Sequence, residues 1–206
     1  MFEKQIETLT KELKEKHKPH TIILYGSYAD NTFNENSDID IICIKKDGEH
    51  YKDARLWNDI FLDVWIYPED KLQNLDEFIH IAIGKVLYQE DTFGNDFINK
   101  LKTALLKPIE EFTKNEEDFS YIWSKKMIRR SKVDDIEGNY RKNWLINDLL
   151  SMYYFQVRKI RPMGIKKNLI YLKNNDFPMY QLFNEVYSNT YDFDKIDLLI
   201  DKVFLK

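Results

Sequence analysis

Residues 25–42 run Tyr25-Gly26-Ser27-Tyr28-Ala29-Asp30, then a polar loop, then Ser37-Asp38-Ile39-Asp40-Ile41-Ile42. The second half decides the reading. From Asp38 to Ile44 the chain is rich in β-branched residues and spells a buried strand, on which residues two apart share a face. Asp38 and Asp40 therefore point the same way. Two carboxylates side by side on a mostly apolar strand repel each other and carry a large desolvation cost, unless a cation sits between them. Magnesium suits that place, because it takes hard oxygen ligands and is commonly shared between one or two carboxylates and substrate phosphates.

The first half offers a grip for those phosphates. Thr21-Ile22-Ile23-Leu24-Tyr25 is a second apolar, β-prone run that stops at Gly26-Ser27. Glycine at a strand end lets backbone N–H groups approach an anion closely, the serine hydroxyl adds a donor, and a following helix would add its positive end. A Gly-Ser pair alone is an ordinary strand end. Joined to the Asp-x-Asp strand, it spells a site for a triphosphate and a metal.

At these residues the chain resembles the nucleotidyltransferase superfamily that includes DNA polymerase beta and the aminoglycoside nucleotidyltransferases. The motif match covers roughly residues 20 to 67. One departure is Asp30-Asn31, which stands where the family habit is a glycine, and asparagine tolerates a left-handed turn. The resemblance implies a third carboxylate on a neighbouring strand, and Asp59-Ile60-Phe61-Leu62-Asp63-Val64-Trp65-Ile66-Tyr67 offers Asp63. Alternation places Phe61, Asp63, Trp65 and Tyr67 on one face and Leu62, Val64 and Ile66 on the other. Asp53 and Asp59 lie outside apolar runs and are poorer candidates.

The resemblance further implies catalytic and metal-binding roles for Asp38, Asp40 and Asp63, and nucleotide binding by Gly26 and Ser27. Asp63 would ligate a second metal or take the proton of the attacking hydroxyl. Two magnesium ions and a nucleoside triphosphate, with ATP the expected donor, belong to that chemistry. A hydroxyl attacks the α-phosphorus and pyrophosphate departs, with the metals stabilising the entering and leaving oxygens.

Composition fits a small folded enzyme. The 206 residues are 43% hydrophobic and 15% aromatic, which is ample for a core and excludes a disordered chain. Cys43 is the single cysteine, so no disulfide can form within the chain. Met1-Phe2-Glu3-Lys4-Gln5 opens a charged helix-like segment rather than a signal peptide, and no apolar run approaches the roughly 20 residues of a membrane span. A reducing cytoplasm is the expected compartment. His17, His20, His50 and His80 are dispersed, and no Cys/His cluster suggests zinc.

The expected fold class is α+β: a small mixed-sheet nucleotidyltransferase domain over residues 1–107, then a helical, acceptor-binding bundle over 108–206. Residues 2–17 read as a surface helix with Ile6, Leu9 and Leu13 inward, stopped before Pro19. Pro68-Glu69-Asp70 marks a helix start, Lys71 to Ile83 fits a helix, and Gly84 to Tyr88 is strand-like. From Phe93 onward apolar residues recur at helical spacing.

The helical part is locally basic. Between Lys125 and Lys173 stand 13 Lys or Arg against 4 Asp or Glu, a balance of +9 in a chain whose total is −4. Solvated helix faces explain this as well as a charged wall facing the metal site would. Trp123, Trp144, Tyr153 and Tyr154 could stack on a base or sugar, although aromatics at helical spacing are more often core. The layout is similar to that of aminoglycoside nucleotidyltransferases, which points to a hydroxyl-bearing small-molecule acceptor and a possible homodimer. A cationic acceptor would want carboxylates, and Glu110, Glu111, Glu116, Glu117 and Asp118 are available. A toxin protein, a tRNA 3′ end or a non-catalytic nucleotide-binding module are the alternatives. Asp134, Asp135 and Glu137 are the candidates for a separate general base.

Overall fold

The structure, a computed structural model, describes residues 2–206. Met1, the first residue of the charged opening segment, lies outside the described residues. The chain divides into two compact units, Met1–Lys107 and Pro108–Lys206. The class is α+β, with a five-stranded mixed sheet followed by helices. Among the described residues no helix is long and apolar enough to cross a membrane.

The first unit runs α1 (Phe2–His17), β1 (Thr21–Tyr25), α2 (Gly26–Ala29), β2 (Ile39–Lys45), β3 (Tyr51–Trp57), β4 (Ile60–Pro68), β5 (Lys85–Gln89) and α3 (Phe93–Leu105). The strand order is β3-β4-β2-β1-β5. Among the described residues only β2 and β4 are parallel; the other neighbours are antiparallel. The central strand β2 is covered on both faces. Ile39, Ile41 and Cys43 pack with Leu62, Val64 and Ile66 against Leu9 and Leu13 of α1, while Ile42 and Ile44 meet Phe78, Phe97 and Leu101 on the other side. This double burial is why β2 reads as an unbroken apolar run with one polar interruption, Asp40.

β3 was not expected from the sequence. It is an edge strand that among the described residues pairs only with β4, so it needs no apolar run and carries Lys52, Asp53 and Arg55 instead. Asn58 and Asp59 link it to β4 with φ of +49° and +64°, the two left-handed residues of a tight hairpin turn. Its charged side chains hold α1 in place. His17 Nε2 lies 2.9 Å and Lys16 Nζ 2.8 Å from Asp53 Oδ2, and Tyr51 Oη sits 3.0 Å from His17 Nδ1. Arg55 pairs with Glu12, which also accepts from Trp57 Nε1 at 3.0 Å.

The helix expected over Lys71 to Ile83 is instead two 3-10 segments, Glu69–Lys71 and Leu75–Ile81. Leu75, Phe78 and Ile81 all turn to the sheet. Their spacing of three matches the 3.0-residue turn of a 3-10 helix better than the 3.6-residue turn of an α-helix.

The second unit comprises α4 (Lys114–Arg130), α5 (Ile136–Tyr153), a π turn (Tyr154–Arg158), α6 (Ile165–Asn175), α7 (Phe177–Ser188) and α8 (Phe193–Val203). Thr113 and Glu116 form a capping box at α4, and Asp135, Asp176 and Asp192 cap α5, α7 and α8. Leu145, Leu149, Tyr153, Leu172, Phe183 and Leu199 belong to its core. Part of the local basic charge is matched inside the unit. Lys125 reaches Asp197 and Asp201 at 2.8 and 2.7 Å, Arg130 and Arg141 share Glu137, and Lys159 reaches Glu111 at 3.2 Å.

Candidate active site

Strand register assembles the site. Tyr25 of β1 stands opposite Asp40 of β2, and Asp40 stands beside Asp63 of β4. One row across three strands thus reads Tyr25, Asp40, Asp63. Asp38 lies just before β2, and carboxylate oxygens of Asp38, Asp40 and Asp63 come within 4.8 Å of one another. Alternation carries the same face along β4 to Trp65 and Tyr67, while Leu62, Val64 and Ile66 are buried on the other.

Crowding three carboxylates carries an electrostatic cost. Asp40 is pushed up to about 7 by burial first, then by Asp38 and Asp63, with Lys52 opposing. Burial and the same three acids also hold the Tyr25 phenol well above the usual tyrosine range. Lys52 of β3 partly offsets this charge. Its Nζ sits 2.8 Å from Asp63 Oδ2 and 4.9 Å from the centre of the Trp65 ring, because Lys52 is directly opposite Trp65 in the β3–β4 ladder. The other oxygen, Asp63 Oδ1, is buried and has no hydrogen-bond partner among the described residues. A buried acceptor left without a donor is costly, and a divalent cation shared with Asp38 and Asp40 would satisfy it. The donor set is all carboxylate oxygen, which fits a hard cation such as magnesium.

The Gly26-Ser27 turn abuts the acids. Gly26 has φ +69° and a Cβ placed on it would lie 2.1 Å from Asp40 Oδ2. The helix that follows is a single turn, Gly26–Ala29, so a helix dipole adds little here and the turn's backbone N–H groups and Ser27 hydroxyl are what it offers an anion. Asn31 takes φ +61°, the left-handed position that its residue type permits.

Other sequence candidates are engaged elsewhere. Asp135 accepts from the Gly138 N–H at 2.6 Å, Glu137 holds Arg130 and Arg141, and Asp134 accepts from Asn139 at 3.3 Å. Tyr153 and Tyr154 are core residues whose hydroxyls donate to Asp176 and to the Asn168 carbonyl. Lys52 went unnoticed in the sequence, and only the register of an edge strand reveals it.

A family model described as a nucleotidyltransferase domain matches residues 6–142. Among solved structures, a nucleotidyltransferase-like protein from Exiguobacterium sibiricum 255-15 is similar, with 11% identity and a TM-score of 0.47; the likeness covers 97% of this chain and 74% of that one. No curated protein matches the chain.

Proposed function

The chain belongs to the nucleotidyltransferase domain family, and from that premise we propose that it moves a nucleoside monophosphate from a nucleoside triphosphate, ATP by preference, to a hydroxyl of a small molecule such as an aminoglycoside-like antibiotic. The observation that carries this reading is the convergence of Asp38, Asp40 and Asp63 around a buried, unpartnered carboxylate oxygen.

Asp38 and Asp40 would hold magnesium, and Asp63 would hold a second ion or receive the proton of the acceptor hydroxyl. Bound magnesium would supply neutralisation of the charge on the triphosphate and on the leaving pyrophosphate. Gly26 and Ser27 would line the phosphate path, with the glycine's missing side chain leaving room beside Asp40. Lys52 would balance the Asp63 carboxylate when the acids stand alone. Positioning and charge neutralisation, rather than covalent chemistry of the protein, account for acceleration in this type of transfer.

A macromolecular acceptor is the competing reading. The internal pairing of Lys125, Arg130, Arg141 and Lys159 leaves those four cations less available to a polyanion. The test is magnesium-dependent pyrophosphate release with each nucleoside triphosphate against aminoglycosides, other hydroxyl-bearing antibiotics and bulk tRNA. Release with a small acceptor that disappears in Asp40→Asn is the expected result. Release with tRNA alone would overturn it.

A further inference from the structure

A cavity of about 220 Å³ opens on the same sheet face, one step along the strands from the acids, between the sheet and the Leu75–Ile81 segment. Tyr25, Ile42, Trp65, Tyr67, Glu77 and His80 line it. The ladder fixes which side of the acids it occupies. β1 and β2 are antiparallel with Tyr25 opposite Asp40 and Ile23 opposite Ile42. Gly26 and Ser27 therefore continue past Asp40 towards Asp38, whereas Ile42, Trp65 and Tyr67 lie in the other direction. If the triphosphate tail rests on Gly26-Ser27, pyrophosphate leaves on the Asp38 side. In-line displacement brings the attacking oxygen from the opposite side, which is the side of the cavity.

The chemistry of the walls narrows what enters. Trp65 and Tyr67 contribute aromatic rings, with the His50 ring stacked 5.2 Å from Tyr67, and Glu77, which accepts from Asn74 Nδ2 at 2.8 Å, supplies a carboxylate. Aromatic faces beside a carboxylate favour a cation over an anion. The molecule already seats one: the Lys52 ammonium lies between the Asp63 carboxylate and the Trp65 ring at the edge of this face.

Resting on the transfer reading above, we propose that this cavity is the acceptor subsite and that it takes a hydroxyl-bearing ring carrying a protonated amine, with the amine held between Trp65, Tyr67 and Glu77. The ring's hydroxyl would then face Asp63. In the transfer, the bond from that hydroxyl oxygen to the α-phosphorus forms, the bond from phosphorus to the bridging oxygen breaks, and pyrophosphate carries the electron pair away while the hydroxyl proton passes to Asp63 or water.

Kanamycin and its fully N-acetylated form are suitable probes. Calorimetric binding to the full chain, with magnesium and a non-hydrolysable ATP analogue present, is measured beside pyrophosphate release with ATP. Kanamycin is expected to bind and its acetylated form is not. Trp65→Leu should raise the KM for kanamycin by about tenfold, and the exposed Glu77→Gln by a few-fold, with the KM for ATP unchanged. Unchanged acceptor KM in both variants, equal binding of the acetylated form, or a rise in the KM for ATP alone would overturn the subsite, the last assigning the cavity to the nucleobase. Trp65-dependent kanamycin binding without any pyrophosphate release would uphold the subsite and sink the transfer reading. Release with other acceptors that neither variant affects would do the reverse, and absence of both binding and release would overturn both.

Discussion

Gly26 and Asp40 touch so closely that no side chain fits between them: a Cβ on Gly26 would lie 2.1 Å from Asp40 Oδ2 and 2.9 Å from its carboxyl carbon. The backbone is also left-handed there, a conformation that costs any L side chain on the order of 1 kcal/mol or more. Gly26→Ala is therefore expected to displace the Asp40 carboxylate and to lower kcat at least about a hundredfold, since misplacement of about 1 Å is that costly. Its circular dichroism should stay native. Near-normal turnover in the pyrophosphate assay would show that the contact does not matter.

Lys52 holds Asp63 Oδ2, and its charge would oppose a metal bound through the neighbouring Oδ1. In Lys52→Met the acidic row loses its only close ammonium among the described residues, so the metal-free protein should melt earlier. Added magnesium should then raise the melting temperature more than it does in the unaltered protein, because a ligand that binds only the folded state stabilises it by mass action. Thermal melts with and without magnesium decide this, and an equal magnesium response in both proteins would refute it.

Asp40→Asn removes one of three mutually repelling carboxylates. Metal-free stability near neutral pH is expected to rise, while magnesium stabilisation and pyrophosphate release fall to background. Such opposed effects distinguish a ligand from a structural acid, whose loss would lower stability and leave the magnesium response intact.

At the β3–α1 edge, burial works against the Asp53 carboxylate, yet hydrogen bonds from Lys16 and His17 prevail and hold it below the usual carboxylate range. A carboxylate with a depressed folded pKa contributes stability above its unfolded value of about 3.9 and loses it as the pH falls through the folded value. The anchoring of α1 should thus weaken only in acid, below about pH 4. Asp53→Asn is expected to lower stability at neutral pH and to flatten this acid limb, as read from urea midpoints across the pH range.

The parts of the site that follow local periodicity were legible in the sequence. Asp38 and Asp40 stand two apart before and within an apolar strand, and Asp63 interrupts a clean alternation, so their shared face follows from the pleat alone. Lys52 was not legible, since Tyr51–Trp57 is an edge strand with no apolar pattern and its lysine meets Asp63 only through the β3–β4 register. The Leu75–Ile81 segment misled for a different reason. Its apolar residues recur every three positions, but over two turns that departs from a 3.6-residue repeat by only about one residue, too little to separate the two helices before the packing is known.

The Asn58-Asp59 turn bears on how the acids come together in time. It closes β3 onto β4 locally, whereas β4's parallel partnership with β2 spans a longer loop and is slower to form. Asp63 and Lys52 would then travel as one prefolded piece, already paired, and Asp38 and Asp40 as another. Chain molecules in which these pieces had not yet docked would keep Asp63 neutralised by its own hairpin, so the acidic row acquires its full repulsion only at the last stage of sheet assembly.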